Sequence, residues 1–110
     1  MLPRKNRTSR KDFPTQKDRG NRVFLPLFTA VFYEGNTISR ASVVVSKKTA
    51  KSAVDRNRQR RRFYDILAPY FKILSAPRTV VIYPKADAQK ASFSVLNKEI
   101  EKALKQAKVV

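Results

Sequence analysis

Between Lys47 and Arg62 the chain reads KKTAKSAVDRNRQRRR, which is eight Lys or Arg and one Asp in sixteen residues. The stretch that follows, FYDILAPYF, is mostly apolar. Ser52-Ala-Val-Asp55 has the spacing of a capping box and predicts a helix that starts near Ser52 and runs to about residue 68. Pro69 ends or kinks it, with an extra turn open through Phe71. At about 100° per residue, Phe63, Ile66, Leu67, Tyr70 and Phe71 form one apolar stripe. Traced back by one to two turns, that stripe meets Arg56, Gln59 and Arg60. Arg58, Arg61, Arg62 and Lys51 fall on the opposite, solvent-type face, where Asp55 and Asp65 are in i,i+3 or i,i+4 reach. Arginine therefore stands where the packing face should continue. A buried unpaired guanidinium is costly, and carboxylates are scarce nearby. The expectation is that the first half of the helix leaves the core and lines a surface where phosphates supply the counter-charge.

Arginine suits that work because its planar fork grips two phosphate oxygens at once. A helix start adds free amide donors and a positive dipole end, with Lys47, Lys48 and Lys51 beside it. Asn57 offers a donor and an acceptor for a base edge, a sugar hydroxyl or a hydrated metal on a phosphate. An ordinary exposed helix position explains Asn57 equally well, and a solvated charged face explains Arg58, Arg61 and Arg62 individually.

The whole-chain balance agrees. There are 25 Lys and Arg against 8 Asp and Glu, a net charge of +17. Such a surplus opposes compaction and points to a polyanionic partner, nucleic acid first. With 110 residues and 42% hydrophobic content, one folded domain over 1–110 is expected, with a basic segment at 1–8. The absence of Cys and His removes disulfides, thiolate chemistry, imidazole bases and His-ligated metals. The eight carboxylates are scattered along the chain, so a self-contained hydrolytic site is not expected. No apolar run approaches the roughly 18 residues of a membrane span. Met1-Leu2-Pro3-Arg4-Lys5 leads into no apolar core of a secretory signal, and the expected compartment is the cytoplasm.

Along the chain, residues 1–22 hold eight more Lys and Arg. A short helix is expected from the Ser9–Asp12 capping box, disturbed by Pro14 and stopped near Gly20. Residues 23–33, VFLPLFTAVFY, read as one strand with apolar residues on both faces, and Pro26 marks an edge or a strand start. After a turn at Glu34-Gly35-Asn36, residues 38–46 form a second strand, and the two are expected to pair as a hairpin. TVVIYP at 79–84 is a buried strand. Residues 93–107 form an amphipathic helix with Phe93, Leu96, Ile100, Ala103/Leu104 and Ala107 along its apolar line.

Seven Phe and four Tyr supply candidate stacking platforms for single-stranded nucleic acid. Phe24, Phe28 and Phe32 share a strand face, for which core packing is the leading reading. For Phe13, inside the basic N-terminal segment, packing and base stacking stand level.

The block Ser46-Lys47-Lys48, then Ala53-Val54, then Arg56-Asn57-Arg58-Gln59-Arg60-Arg61 resembles the signature of the bacterial ribonuclease P protein family. Asp12-Phe13 and Gly20 and the order of elements fit as well, over nearly the whole chain. The resemblance implies an α+β fold, an α/β sandwich with helices packed on a sheet of about four strands. In it the basic helix crosses between parallel strands with a left hand, against the usual rule. It also implies the protein subunit of an endoribonuclease whose RNA subunit, with Mg²⁺, removes the 5′ leader of precursor tRNA. No cofactor, metal or catalytic residue is then expected in the protein itself, and no obligate protein partner or membrane. The partners are the catalytic RNA and precursor tRNA. Lys47, Lys48, Lys51, Arg56, Asn57, Arg58, Arg60 and Arg61 match the RNA-contacting motif, and Phe13, Lys17 and Phe28 are the leader-cleft candidates. Lys17 stands where relatives often repeat an aromatic, and Gln59 and Arg62 where many have an apolar residue. A small basic ribosomal protein is the alternative class. A DNA-binding regulator lacks support from any helix-turn-helix spacing.

Overall fold

The structure is a computed structural model, and it describes residues 20–33, 39–74 and 78–107. The expected N-terminal helix, with Phe13 and Lys17, and the 34–36 turn lie outside the described residues. Four strands form one sheet: β1 (Gly20–Phe24), β2 (Phe28–Tyr33), β3 (Arg40–Val43) and β4 (Thr79–Pro84). Their order is β1-β2-β4-β3. Two helices follow β3 and β4 respectively, α1 (Ala53–Tyr70) and α2 (Phe93–Gln106), and a 3₁₀ turn, Ala86–Gln89, precedes α2.

The single strand expected over 23–33 is two strands of a hairpin. Leu25 donates its N–H to the Phe28 carbonyl at 3.0 Å, closing a turn around Pro26. A residue without an N–H costs nothing at a turn, where no ladder bond is needed. Lys85 holds this turn twice, through its backbone N–H to the Leu27 carbonyl and through Nζ to the Leu25 carbonyl, each at 2.8 Å. At the other end of β1, a Cβ on Gly20 would lie 2.4 Å from Val31 Cγ1 and 2.8 Å from Tyr33 Cε1. Only glycine lets those cross-strand side chains close over the edge.

The hairpin expected between 23–33 and 38–46 does not form. β4 enters between the two, antiparallel to β2 (Val31 opposite Val81) and parallel to β3 (Ala41 opposite Val80). TVVIYP carries no charge, and five of its six residues are buried. It therefore takes a centre position with partners on both sides. Arg22 and Arg40 lie on the flanking strands β1 and β3, where charge suits a sheet edge.

One sheet face carries Val23, Ala30, Phe32, Ala41, Val43, Val80 and Ile82 into the core, with Phe28 at the start of β2. Phe63, Ile66 and Leu67 of α1 and Leu96, Ile100, Ala103 and Leu104 of α2 complete it. The helix ends follow their caps. Asp55 N–H donates to Ser52 Oγ at 3.1 Å, and Val95 N–H to Ser92 Oγ at 3.2 Å. Pro69 is accommodated in the last turn of α1. Tyr70 Oη then donates to Asn97 Oδ1 at 3.1 Å, joining α1 to α2. Phe93, expected on the packed line of α2, is instead 54% exposed, because the first turn overhangs the core.

Phe28 is fully buried, edge-on to Phe63 with ring centroids 5.6 Å apart and planes at 79°. Its ring offers no face for a base to stack on, which removes it from the leader-cleft candidates. Phe28→Ala is expected to cost about 3–5 kcal/mol of stability, read as a lower urea midpoint. A variant as stable as wild type would show that this contact does not hold the core.

Candidate nucleic-acid interface

The loop before α1 closes on itself. Thr49 and Ala50 donate their N–H groups to the Ser46 carbonyl at 3.1 and 3.0 Å. Lys47 and Lys48 stand exposed at its tip, and Lys51 is exposed where the loop meets the helix. Asn57, Arg58 and Arg61 are exposed on α1. The lysine loop and the arginine helix are thus consecutive and both open to solvent, with the positive end of the helix dipole between them.

Arg56 and Arg60, the residues on the extended apolar stripe, are half-buried rather than displayed. Arg56 Nη1 reaches back over the helix start to the carbonyls of Ala50 at 3.0 Å and Lys51 at 2.9 Å. Arg60 Nη1 donates to Asn57 Oδ1 at 2.5 Å, which orients the amide of Asn57. Gln59 is the residue of that stripe that enters the core, at 3% exposure. The costly buried guanidinium is avoided by a neutral side chain at the centre and by carbonyl acceptors at the flanks.

Arg62 does not belong to the solvent face where the helical wheel put it. Its Nη1 donates to the Ala88 carbonyl at 3.1 Å and to Gln59 Oε1 at 3.3 Å, and its Nη2 donates to the Ala91 carbonyl. Burial first, and the neighbouring Arg58 charge second, lower its pKa. It still carries its charge at neutral pH, because arginine starts so high.

A second surface was missed in the sequence. Residues in register share a sheet face, so Phe24, Thr29 and Tyr83 point one way together with Arg22, Val31 and Val81, and with Tyr33. This is the face opposite the helix-packed core. Phe24 is 69% exposed and Tyr83 37%, and Tyr33 is half-buried. Burial first, then Tyr33, raise the Tyr83 pKa, while Arg22 lowers it, so the three groups feel one another. Aromatic rings beside a guanidinium are the chemistry that holds single-stranded nucleic acid. The signal was the shared face of Tyr33, opposite Thr79, and Tyr83, opposite Thr29, which needs the strand order.

Fold and surfaces together define a small basic α+β protein with an exposed cationic loop and helix. The family model for Ribonuclease P matches residues 2–108. A curated relative, the Ribonuclease P protein component of Pseudanabaena sp. (strain PCC 6903), is 32% identical over 114 residues, covering 100% of this chain and 97% of its own. The Staphylococcus aureus RNase P protein shares the fold with a TM-score of 0.79 at 22% identity, over 94% of this chain and 96% of its own. The RNase P protein from Thermotoga maritima does so with a TM-score of 0.69 at 21% identity, over 79% and 83%. The chain belongs to the ribonuclease P protein family.

Two outcomes are expected from these surfaces. Arg61→Ala should flatten the log–log salt dependence of RNA binding by roughly 0.7–0.9 with little change in melting temperature. Arg56→Ala should also lower the melting temperature, because it frees the helix start. Identical behaviour of the two variants would contradict the different roles. For Tyr83, the folded pKa lies above the unfolded value of about 10. Its stabilising contribution is therefore complete below that value and lost as pH rises through the folded pKa. An ultraviolet titration of wild type against Tyr83→Phe should show late ionisation, later still in Arg22→Ala. Ionisation at the ordinary value would break the cluster.

Proposed function

We propose that the chain is the protein subunit of ribonuclease P, binding the catalytic RNA and the 5′ leader of precursor tRNA. The observation that carries this reading is the exposed set of cations Lys47, Lys48, Lys51, Arg58 and Arg61 on one loop and the helix that follows it, in a chain of this family. These cations and Asn57 are assigned to the RNA subunit. The Arg22–Tyr33–Tyr83 sheet face, with Phe24 at its rim, is assigned to the single-stranded leader, where rings stack on bases and Arg22 neutralises a phosphate. Phe13 and Lys17 of the N-terminal segment are proposed to contribute to the same cleft.

Catalysis is assigned to the RNA. Among the described residues no three of His, Cys, Asp and Glu gather as metal ligands. Mg²⁺ bound by the RNA would supply an activated water and stabilise charge at the scissile phosphate. Water adds to phosphorus, the bond to the leader's 3′ oxygen breaks, and mature tRNA keeps the 5′-phosphate. The protein's share is to neutralise phosphates that would otherwise repel one another, and to hold the leader in line. That share matters most when Mg²⁺ is scarce. The setting proposed is the cytoplasm.

The purified chain alone should leave precursor tRNA intact. Added to its catalytic RNA at low Mg²⁺, it should restore cleavage and favour substrates that carry a leader. With about six cations engaged on a single strand, the log–log salt slope should be about −4. No enhancement with the cognate RNA, or co-sedimentation with ribosomal subunits instead, would overturn the proposal.

A further inference from the structure

The lysine loop and the arginine helix are bonded to a common third element. The turn at 86–91 touches both. On one side, Gln89 Nε2 donates to the Thr49 carbonyl, behind the loop tip that displays Lys47 and Lys48. Thr49 Oγ1 adds a long bond of 3.4 Å to the carbonyl of Pro84, at the end of β4. On the other side, Arg62 donates to the carbonyls of Ala88 and Ala91, on either side of Gln89 and Lys90. The turn is seated in the core through Ala88, which is fully buried.

We propose that Gln89 is a positioning residue for RNA binding. It acts through Thr49 on the Lys47–Lys48 loop, and Arg62 fastens the turn that carries it to α1. The inference rests on the RNA-binding reading above and deepens it.

Both nitrogens of the Arg62 fork that face outward are engaged with carbonyls, so Arg62 fastens rather than displays charge. Gln89 is neutral and half-buried, and cannot substitute for a phosphate-binding cation. Its side-chain amide donates to the loop backbone. A surface loop of exposed lysines must be ordered when it meets phosphates, and ordering it in advance lowers the cost of binding. The bracket does this across chain separations that local structure cannot bridge, 40 residues between Gln89 and Thr49 and 26 between Arg62 and Ala88. The same contacts keep the loop at one height relative to Arg58 and Arg61, so that one RNA surface can meet both.

The test is a double-mutant cycle on the full chain, with its cognate catalytic RNA as the probe and affinity read at several salt concentrations. Gln89→Met keeps the size of the side chain and removes the donor. It is expected to weaken binding about fivefold, with a melting temperature within a few degrees of wild type. In a Lys47→Ala/Lys48→Ala background the same change should cost less than about twofold, because the loop no longer contributes. In an Arg61→Ala background it should cost the full factor. Equal loss in both backgrounds, or no loss at all, overturns the proposal. Should Gln89→Met melt early, Gln89→Ala enters the same cycle below its melting range and is judged by the same pattern. Failure of the wild-type chain to bind the RNA overturns both this inference and the function it rests on. Wild-type binding with Gln89→Met unchanged overturns this inference alone.

Discussion

Phe63 stands edge-on to Phe28 at the place where α1 changes from a cationic helix to an apolar one. That contact, with Ile66 and Leu67 beside it, fastens the second half of α1 to the sheet. The first half is then carried outward on a rigid rod whose hydrogen bonds are internal. The exposed cations of α1 before Phe63, Arg58 and Arg61, inherit their position from this anchor. A helix with cations along its full length would have no packed half to orient it. One with an apolar stripe to its start would bury the surface that the arginines now supply.

The second constraint is electrostatic. A chain with 25 cations and 8 carboxylates cannot pair its charges internally. Instead, backbone carbonyls accept from the side chains that must lie near the core. Arg56 uses the carbonyls of Ala50 and Lys51, Arg62 those of Ala88 and Ala91, and Lys85 that of Leu25. These bonds satisfy donors without neutralising charge, so the positive potential of the molecule survives folding. The same bonds tie loops to helices, which lets electrostatic surplus and structural order coexist.

Two surfaces of different chemistry result. The loop-helix surface is cationic and poor in aromatics, suited to a phosphate backbone whose bases are already paired. The other sheet face mixes Tyr33, Tyr83 and Phe24 with Arg22 around the buried Val31 and Val81, suited to unstacked bases. The proposed function would use both, the first for the folded RNA and the second for the single-stranded leader. The sheet separates them, since α1 packs on one side and the tyrosines point to the other.

By itself the sequence determined what depends on near neighbours. Ser52 and Ser92 lie three residues before the N–H groups they cap, TVVIYP is a strand on its own composition, and the Leu96–Leu104 line follows helical periodicity. The cation block and its family signature were equally legible. Tertiary structure decided the rest. The 23–33 run folds at Pro26, because the sheet offers partners for two short strands. β4 displaces the expected hairpin, because the most apolar strand takes the centre. Arg62 leaves the solvent face because acceptors more than 25 residues away, at Ala88 and Ala91, come within reach of its fork. Tyr33 and Tyr83 come onto one sheet face only because β2 pairs with β4. The division has one physical reason. Caps and periodicity are set within a turn or two of chain, whereas a guanidinium's acceptors and a strand's neighbours are set by distance in space.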